Sequence, residues 1–270
     1  MSTESRVFSA LLKYWRTHRG LSQLDLALAA DVSSRHISFL ETGRSRPSED
    51  MVLLLASTLD VPLRERNVML REAGFAAAFD EPSLEALNAP GIEHALAMML
   101  QRMNPFPMMV LDRAYTVLRL NEAARRMATV GLGSLPETWN AMRALFDPNG
   151  FRPYVLDWES TAQSAVARLH REVLRSPHDE RLAALLEEVL AVPGVSAAWR
   201  QLDPARGAEG ALTLRLHVGG QVLSFITSMM SFHAPQNVTL DEIQIESYLP
   251  ADEATELACA ALLGGAASSA

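Results

Sequence analysis

The sequence predicts an α+β protein in two parts: an all-α domain of five helices, then a larger domain in which helices cover one sheet. Three observations predict this. Apolar residues recur at helical spacing through residues 6–75, and a stretch that contains Pro82, Ser83, Asn88, Pro90 and Gly91 follows at 76–91. The rest of the chain has the order strand, strand, several helices, then three strands, which is typical of one sheet covered by helices. We therefore divide the chain into domains at 1–75 and 92–255, a linker at 76–91 and a C-terminal tail at 256–270.

The five N-terminal helices are predicted from their apolar faces and their ends. The first has an apolar face that includes Leu12 and Trp15, and Gly20 ends it. Ser22 begins the second helix, with Asp25 as its capping-box partner. The remaining inward-facing residues and helix ends are Phe8, Leu11, Leu24, Ala27, Leu28, Ile37 and Leu40, and Ser33, Gly43, Pro47, Ser48 and Pro62.

The second domain is predicted from alternating apolar runs and the helical patterns between them. Strands are expected at 107–112, 116–121, 211–217, 221–232 and 243–249, and the pair Gly219-Gly220 indicates a hairpin. Helices are expected at 92–103, 122–129, 136–146, 157–174 and 179–192, with a short one at 195–202. Residues 264–270 are expected to be disordered.

Composition narrows the function classes. The 270 residues carry a net charge of −8, of which residues 1–75 contribute +1 and residues 76–270 contribute −9. The single cysteine, Cys259, cannot form an internal disulfide, and we expect it to be a small buried residue.

No apolar stretch approaches the ~20 residues that span a bilayer, so we expect a cytoplasmic protein. Zinc-protease, phosphate-loop and nucleophile-elbow motifs are absent, so we expect no enzyme, metal or cofactor.

Residues 21–48 have the pattern of two helices that meet at a sharp angle. Ala27 is small enough for the next helix to cross close to it, and Asp31 occupies a turn that requires positive φ. Val32 and Ile37 fill the angle between the helices. The outer face of the third helix then carries polar side chains, among them Arg35.

This pattern resembles the repressor-type helix-turn-helix of the XRE/Cro family over about residues 8–73. The resemblance implies that the third helix lies in the major groove of double-stranded DNA, where Arg35 binds guanine. It also implies a homodimer, because one module covers one half-site. The DNA-binding residues are expected to be Ser22, Gln23, Ser33, Ser34, Arg35, His36, Ser38, Arg44 and Arg46. The alternative is a five-helix bundle that binds protein.

The second domain carries a series of short motifs. They include Pro105–Arg113, Asn121–Ala124, Phe146–Pro148, Phe151–Pro153 and Thr239–Asp252. Together with Arg71–Phe75, their order resembles the MmyB-like transcription regulators over nearly the whole chain. The resemblance implies a PAS-like ligand-binding domain, namely a five-stranded antiparallel sheet with helices over one face. It also implies a small apolar ligand of fatty-acyl character.

The predicted ligand pocket lies between the sheet and the helices. Nine of the twelve methionines fall in this domain, and methionine adapts to apolar guests of varying shape. Arg143 and Arg152 are candidates to bind a carboxylate, and Asn121 and Asn140 are candidates for neutral hydrogen bonds. Phe146, Trp158 and Phe232 are candidate walls. The alternative is an ordinary core in a domain that only dimerises or docks proteins, without a ligand.

Overall fold

The computed structural model describes residues 3–201, 213–232 and 236–264. The chain forms two compact units. One comprises Met1–Leu84 together with Ala234–Asp241, and the other comprises Glu85–His233 together with Glu242–Ala270. The first unit therefore takes in a short piece of chain that is distant in sequence.

The first unit is all-α, as predicted. Its five main helices are α1 (Thr3–His18), α2 (Gln23–Ala29), α3 (Ser34–Glu41), α4 (Glu49–Thr58) and α5 (Leu63–Ala73). Their shared core contains Phe8, Trp15, Ile37 and Leu55, each almost completely excluded from solvent. Burial of these large apolar side chains is the main stabilisation of so small a helical unit.

The ends of α2 and α3 are fixed by side-chain caps. Ser22 Oγ accepts a hydrogen bond from Asp25 N at 3.1 Å, and Asp25 Oδ2 accepts one from Ser22 N at 2.8 Å, which completes the predicted capping box. Ser33 Oγ accepts a hydrogen bond from His36 N at the start of α3. Between the helices, Asp31 has a φ of 53°, so the prediction of a left-handed residue there is confirmed.

The predicted apolar face of α2 is wrong for two of its three residues. Leu24 and Leu28 are 57% and 73% exposed, whereas Leu26 and Ala27 are buried against the other helices. Because α2 has only seven residues, its inward side is set by how it packs on α3 and α4 rather than by its own periodicity.

The segment predicted as the linker is partly bound to α5. The buried side chain of Asn67 donates to Phe79 O at 2.8 Å and to Glu81 Oε1 at 2.7 Å. Its Oδ1 accepts hydrogen bonds from Ala78 N and Phe79 N at 3.1 Å. The boundary between the units therefore falls after Leu84, inside the predicted linker 76–91.

A second piece of chain, residues 236–241, packs on the same side of the first unit; we call it the arm. Its four-residue helix α11 (Val238–Asp241) contacts α5. Asn237 forms a parallel bridge with Asp80, and Val238 N donates to Asp80 O at 2.9 Å. Thr239 Oγ1 donates to Pro82 O, and Val238 is fully buried. No pattern in the sequence predicted this docking.

The second unit is built on a five-stranded antiparallel sheet, as predicted. The strands are β1 (Met108–Leu111), β2 (Val117–Leu120), β3 (Thr213–Val218), β4 (Gln221–Ser231) and β5 (Gln244–Pro250), in the order β2-β1-β5-β4-β3. Gly219 and Gly220 have φ of 58° and 80° and form the predicted hairpin turn between β3 and β4. Residues 211 and 212 of the predicted third strand lie outside the described residues.

Helices precede, separate and follow the strands of this sheet in the sequence. They are α6 (Pro90–Met103), α7 (Glu122–Leu132), α8 (Ala141–Phe146), α9 (Trp158–Arg175), α10 (Glu180–Leu190) and α12 (Glu253–Gly264). Helix α8 is shorter than the predicted 136–146, and Ala197–Arg200 forms a single 3₁₀ turn within the predicted 195–202. Helix α12 occupies much of the predicted tail, and residues 265–270 lie outside the described part of the chain.

The core of the second unit lies between one face of the sheet and the helices. Leu111 and Phe225 from the sheet pack in one cluster with Val166, Leu169 and Leu185 from α9 and α10. Cys259 of α12 belongs to the same cluster and is buried, as predicted. Among the described residues, no helix is both long and apolar enough to cross a bilayer.

Candidate functional site

The outer face of α3 is a polar surface on an otherwise well-packed helix. Ile37 and Leu40 are completely buried, while Ser34 and Arg35 are exposed and Ser38 is half-buried. The division of α3 into inward apolar and outward polar residues follows the sequence prediction. The N-cap of Ser33 fixes where this surface begins.

Two arginines converge on one aromatic ring at this surface. The Cζ atoms of Arg35 and Arg44 lie 5.1 and 5.9 Å from the centroid of the Phe39 ring. Both contacts are within the range of cation–π attraction. Backbone hydrogen bonds from Arg44 N and Ser45 N to Phe39 O, at 2.8 and 3.2 Å, attach the following loop to the end of α3. Phe39 thus brings two exposed positive charges together, in a unit whose net charge is small.

Phe39 was not among the DNA-binding residues predicted from the sequence. The signal was its position, because Arg35 and Phe39 are four residues apart and such pairs meet on one helix face. Arg46, in the same loop, is exposed, and His36 is half-buried beside the N-terminus of α3.

Ser22 and Gln23 have internal contacts that orient α2. Ser22 Oγ is used in the capping box, and Gln23 Nε2 donates to Glu41 Oε2 at 2.7 Å. Glu41 also receives two hydrogen bonds from Arg16, with Nε–Oε1 at 2.5 Å and Nη2–Oε2 at 3.0 Å. Burial alone would raise the pKa of Glu41, but the hydrogen bonds from Arg16 and Gln23 lower it below its ordinary value. This charged cluster holds α1, α2 and α3 together behind the polar surface.

The second unit contains a partly open cavity of about 170 Å³ between its sheet and helices. Its walls are mainly apolar and include three of the methionines that the sequence analysis associated with a pocket. The principal apolar and aromatic lining residues are Met109, Tyr115, Met127, Trp139, Met142, Phe151, Leu216 and Tyr248. An engineered apolar cavity of ~150 Å³ accommodates a benzene molecule, so this space has room for a guest of comparable size.

One charged side chain in the lining has unused hydrogen-bonding capacity. Arg168 of α9 lies with its Cζ 5.1 Å from the centroid of the Tyr115 ring and Nη1 3.9 Å from Glu246 Oε1. Its Nε is buried without a hydrogen-bond partner. Burial lowers the pKa of Arg168, but Tyr115, Glu246 and Glu172 more than offset this and raise it above its ordinary value. The guanidinium is therefore charged, and it lines an apolar space.

A second polar contact lies beside Arg168. Tyr115 OH donates to Glu172 Oε1 at 2.7 Å. Burial raises the pKa of Tyr115 well above its ordinary value, so the phenol is neutral and acts as the donor. Burial also raises the pKa of Glu172, although Tyr115 and Arg168 limit the rise. The cavity therefore combines mainly apolar walls with polar groups that include Arg168, Tyr115 and Glu246, as ligand pockets commonly do.

The family model of the MmyB-like transcription regulator ligand binding domain matches residues 92–262, and a helix-turn-helix model matches residues 12–66. The chain belongs to the MmyB-like transcription regulators. It is a DNA-binding transcription regulator with a C-terminal ligand-binding domain. No curated protein sequence matches it.

In the regulator, none of the seven residues predicted to bind the ligand lines the cavity that contains Arg168. Asn121 instead caps α7, where it accepts from Ala124 N at 2.9 Å. Asn140 caps α8 by accepting from Arg143 N at 3.0 Å. Asparagine is among the best N-cap residues, so both positions have a structural explanation.

Arg143 and Arg152, the two residues predicted to bind a ligand carboxylate, contact other groups of the regulator itself. Arg143 forms an exposed ion pair with Glu188, with Nε–Oε1 at 2.8 Å. Arg152 stacks on Trp158, with Cζ 3.7 Å from the ring centroid, and donates to Pro193 O at 2.8 Å. Phe146 is in the core, and Phe232 follows the end of β4. Asn140, Arg143 and Phe146 do line a second, more open cavity beside α8 and α10.

Sequence reasoning missed Arg168, although helical spacing contained a signal. Thr161, Ala165, Arg168 and Glu172 recur at intervals of three and four residues, so they share one face of α9. That face turns toward the cavity, which Thr161, Ala165 and Arg168 all line. Arg171 of the same helix also lines the cavity, but it is exposed. The buried Nε without a hydrogen-bond partner is what distinguishes Arg168.

Proposed function

We propose that the regulator reads its operator with α3 and that a small apolar ligand in the cavity lined by Arg168 changes its affinity for that operator. The exposed Arg35, fixed over Phe39, carries the DNA part of this proposal. A guanidinium in the major groove binds guanine O6 and N7 together. Ser34 and Ser38 flank Arg35 on the same face and contact base edges, and Arg44 and Arg46 bind phosphates from the loop.

Ser22, Gln23, Ser33 and His36 complete the proposed interface, with different roles. The side chains of Ser22 and Gln23 position α2 through their internal hydrogen bonds. Ser33 and His36 contact the DNA backbone next to the N-terminus of α3. One module covers one half-site, so we propose that the regulator binds as a homodimer.

The ligand proposal depends on Arg168 and the apolar walls around it. A carboxylate that binds the guanidinium satisfies the buried Nε, while an acyl chain contacts the methionines. In the present arrangement the cavity fits a short acyl chain. A longer fatty-acyl chain requires Met109, Met127 and Met142 to change rotamer, which unbranched thioether side chains do readily.

The unfilled cavity of the second unit favours ligand binding over the alternative of a constitutive dimerisation or docking module. Protein interiors are close-packed, and an empty apolar space costs stability in proportion to its volume. A module that only docks partners gains nothing from such a space. A ligand that fills it recovers the lost contacts.

The test uses sodium octanoate, with 1-octanol as the neutral control of the same chain length. Octanoate is expected to raise the melting temperature of the full-length regulator and to change its affinity for an operator selected from random DNA. Arg168→Gln is expected to remove the octanoate effect, whereas Arg143→Gln, in the exposed pair with Glu188, is expected to retain it. If octanoate changes neither melting temperature nor operator affinity in the wild-type chain, the acyl-ligand proposal is wrong.

A further inference from the structure

The arm connects two cavity-lining strands. It joins the end of β4 to the start of β5, and these strands are paired to their ends, where Ser231 lies opposite Gln244. Thr227 of β4 and Glu246 and Tyr248 of β5 line the cavity. Glu246 is two residues from Gln244, or ~7 Å along the strand. The chain therefore leaves the sheet at the end of β4, enters the first unit, and returns to the sheet two residues before the cavity-lining Glu246.

Inside the first unit, the arm is held by several independent contacts. Val238 is completely buried, and the Asp80–Asn237 bridge fixes the backbone. Thr239 Oγ1 donates to Pro82 O. Burial lowers the pKa of Arg66 on α5, and the carboxylates of Asp60 and Asp241 offset part of that effect. The arm and residues 78–82 thus cover α5, which packs in turn on α1 and α4.

We propose that the arm is the element that couples the cavity to the DNA-binding unit. Two units joined only by a flexible linker would respond independently of each other. Here the chain that connects β4 to β5 also packs within the helical unit, so a change in the sheet has a route to that unit. The idea rests on the proposed function, because it assigns the route by which ligand occupancy reaches α5.

The coupling begins at Glu246. A carboxylate ligand on Arg168 takes over the guanidinium that Glu246 approaches at 3.9 Å, and the two carboxylates repel each other. Displacement of Glu246 shifts the first residues of β5 and alters their pairing with β4. Because the arm is anchored to residues 80–82 and to α5, the strain is borne by these anchors. Reported allosteric couplings correspond to ~5–150-fold changes in affinity, which defines the size of effect sought.

The decisive experiment needs neither ligand nor DNA. Amide hydrogen exchange is measured across α5 in the full-length chain for wild type, Glu246→Gln, Val238→Ala and the double variant. Glu246→Gln is expected to change α5 exchange by ~10-fold in the wild-type background and by less than ~2-fold in the Val238→Ala background. Gln236→Ala, an exposed position in the same segment, is the matched control and is expected to leave the Glu246→Gln effect intact.

Thr239→Val replaces Val238→Ala if that variant fails to fold, since it removes only the hydrogen bond to Pro82 O. The proposal is overturned if Glu246→Gln leaves α5 unchanged, or if its effect is the same with and without an intact arm. In a parallel assay, octanoate is expected to alter operator affinity in wild type and to lose that effect in the arm variant. An inert octanoate in wild type counts against the acyl ligand alone, because the exchange cycle is read without it.

Discussion

Arg35 is exposed on α3 with its guanidinium over the ring of Phe39, and the helix beneath is fixed by the burial of Ile37 and Leu40. Arg35→Ala is expected to lower operator affinity by ~5–150-fold and to relax preference at one base pair, because a bidentate contact to guanine is worth ~1–3 kcal/mol. Fluorescence anisotropy on the selected operator and its single-base variants measures both effects.

Arg200→Ala provides the matched control for this substitution. Arg200 is a similarly exposed arginine whose partner is Glu187, with Nη1–Oε2 at 3.0 Å, and it belongs to the second unit. Its loss is expected to leave operator affinity within ~2-fold, since an exposed pair contributes little. Equal losses from both substitutions would show that Arg35 acts only through net charge.

The thiol of Cys259 is expected to be unreactive in the folded chain. Burial raises its pKa to about 11, so only ~0.1% of it is thiolate at pH 8. In unfolded chain the pKa returns to ~8.5 and the thiolate fraction rises by more than ~100-fold. An aromatic disulfide reagent at pH 8, with and without guanidinium chloride, measures the difference, and rapid native labelling would contradict it.

The sequence predicted which residues of α3 face outward, but it did not predict which residues line the cavity. An apolar position at helical spacing has one common explanation, so Ile37 and Leu40 were correctly placed inside. A polar residue such as Asn121 or Asn140 can bind a ligand or cap a helix, and one sequence does not distinguish these uses. Helical spacing places Arg168 on one face with Thr161 and Ala165, but only the structure shows that this face lines a cavity and that Arg168 Nε lacks a partner.

Among the elements, the packing of α1, α2 and α3 depends on the Arg16–Glu41 pair. Their side chains are only 10% and 2% exposed. Arg16→Ala leaves a buried carboxylate without its cation, so the local stability of α3 is expected to fall by ~3–5 kcal/mol. Arg143→Ala breaks an exposed pair and is expected to cost ~0–1 kcal/mol around α8. Amide hydrogen exchange in full-length chain measures each local change, and equal costs would contradict the assigned burial.

The same pair predicts an acid dependence of α3. The pKa of Glu41 is lower in the folded state, so its contribution is complete above the unfolded value of ~4.3 and is lost as pH falls through the folded value. Protection of α3 amides is expected to decline between pH 5 and 3 more steeply in wild type than in Glu41→Gln. Parallel pH profiles for the two chains would show that Glu41 does not contribute.

Element positions were predictable where periodicity extended over several turns and not where tertiary contacts decide. All five N-terminal helices and the five strands were expected, because each has a repeated apolar pattern or a turn signal. The orientation of α2, with Leu24 and Leu28 outside, depends on its neighbours. The four residues of α11 are too few for any periodic signal, so the docking of the arm could not be predicted from sequence.

Across the whole molecule, charge is divided between the two regions of the sequence. Residues 76–270 carry −9, so net charge does not favour DNA, and the proposed interface assigns the affinity to the few arginines at α3 and its loop. One such surface contacts too few phosphates and bases for high specificity. Two copies joined in a dimer double the contacts at a fixed separation.

A dimer requires half-sites on the same face of the duplex, ~34 Å apart. Insertion of five base pairs between the half-sites rotates one of them by about half a helical turn and is expected to reduce operator affinity to that of a single half-site. Insertion of ten base pairs returns both half-sites to the same face of the duplex but increases their separation by a further ~34 Å. Affinity is then recovered only if the dimer can extend over that distance. Gel-shift titrations of the three operators, with sedimentation analysis of the free protein, test this. Unchanged affinity with five added base pairs would show that each chain binds independently.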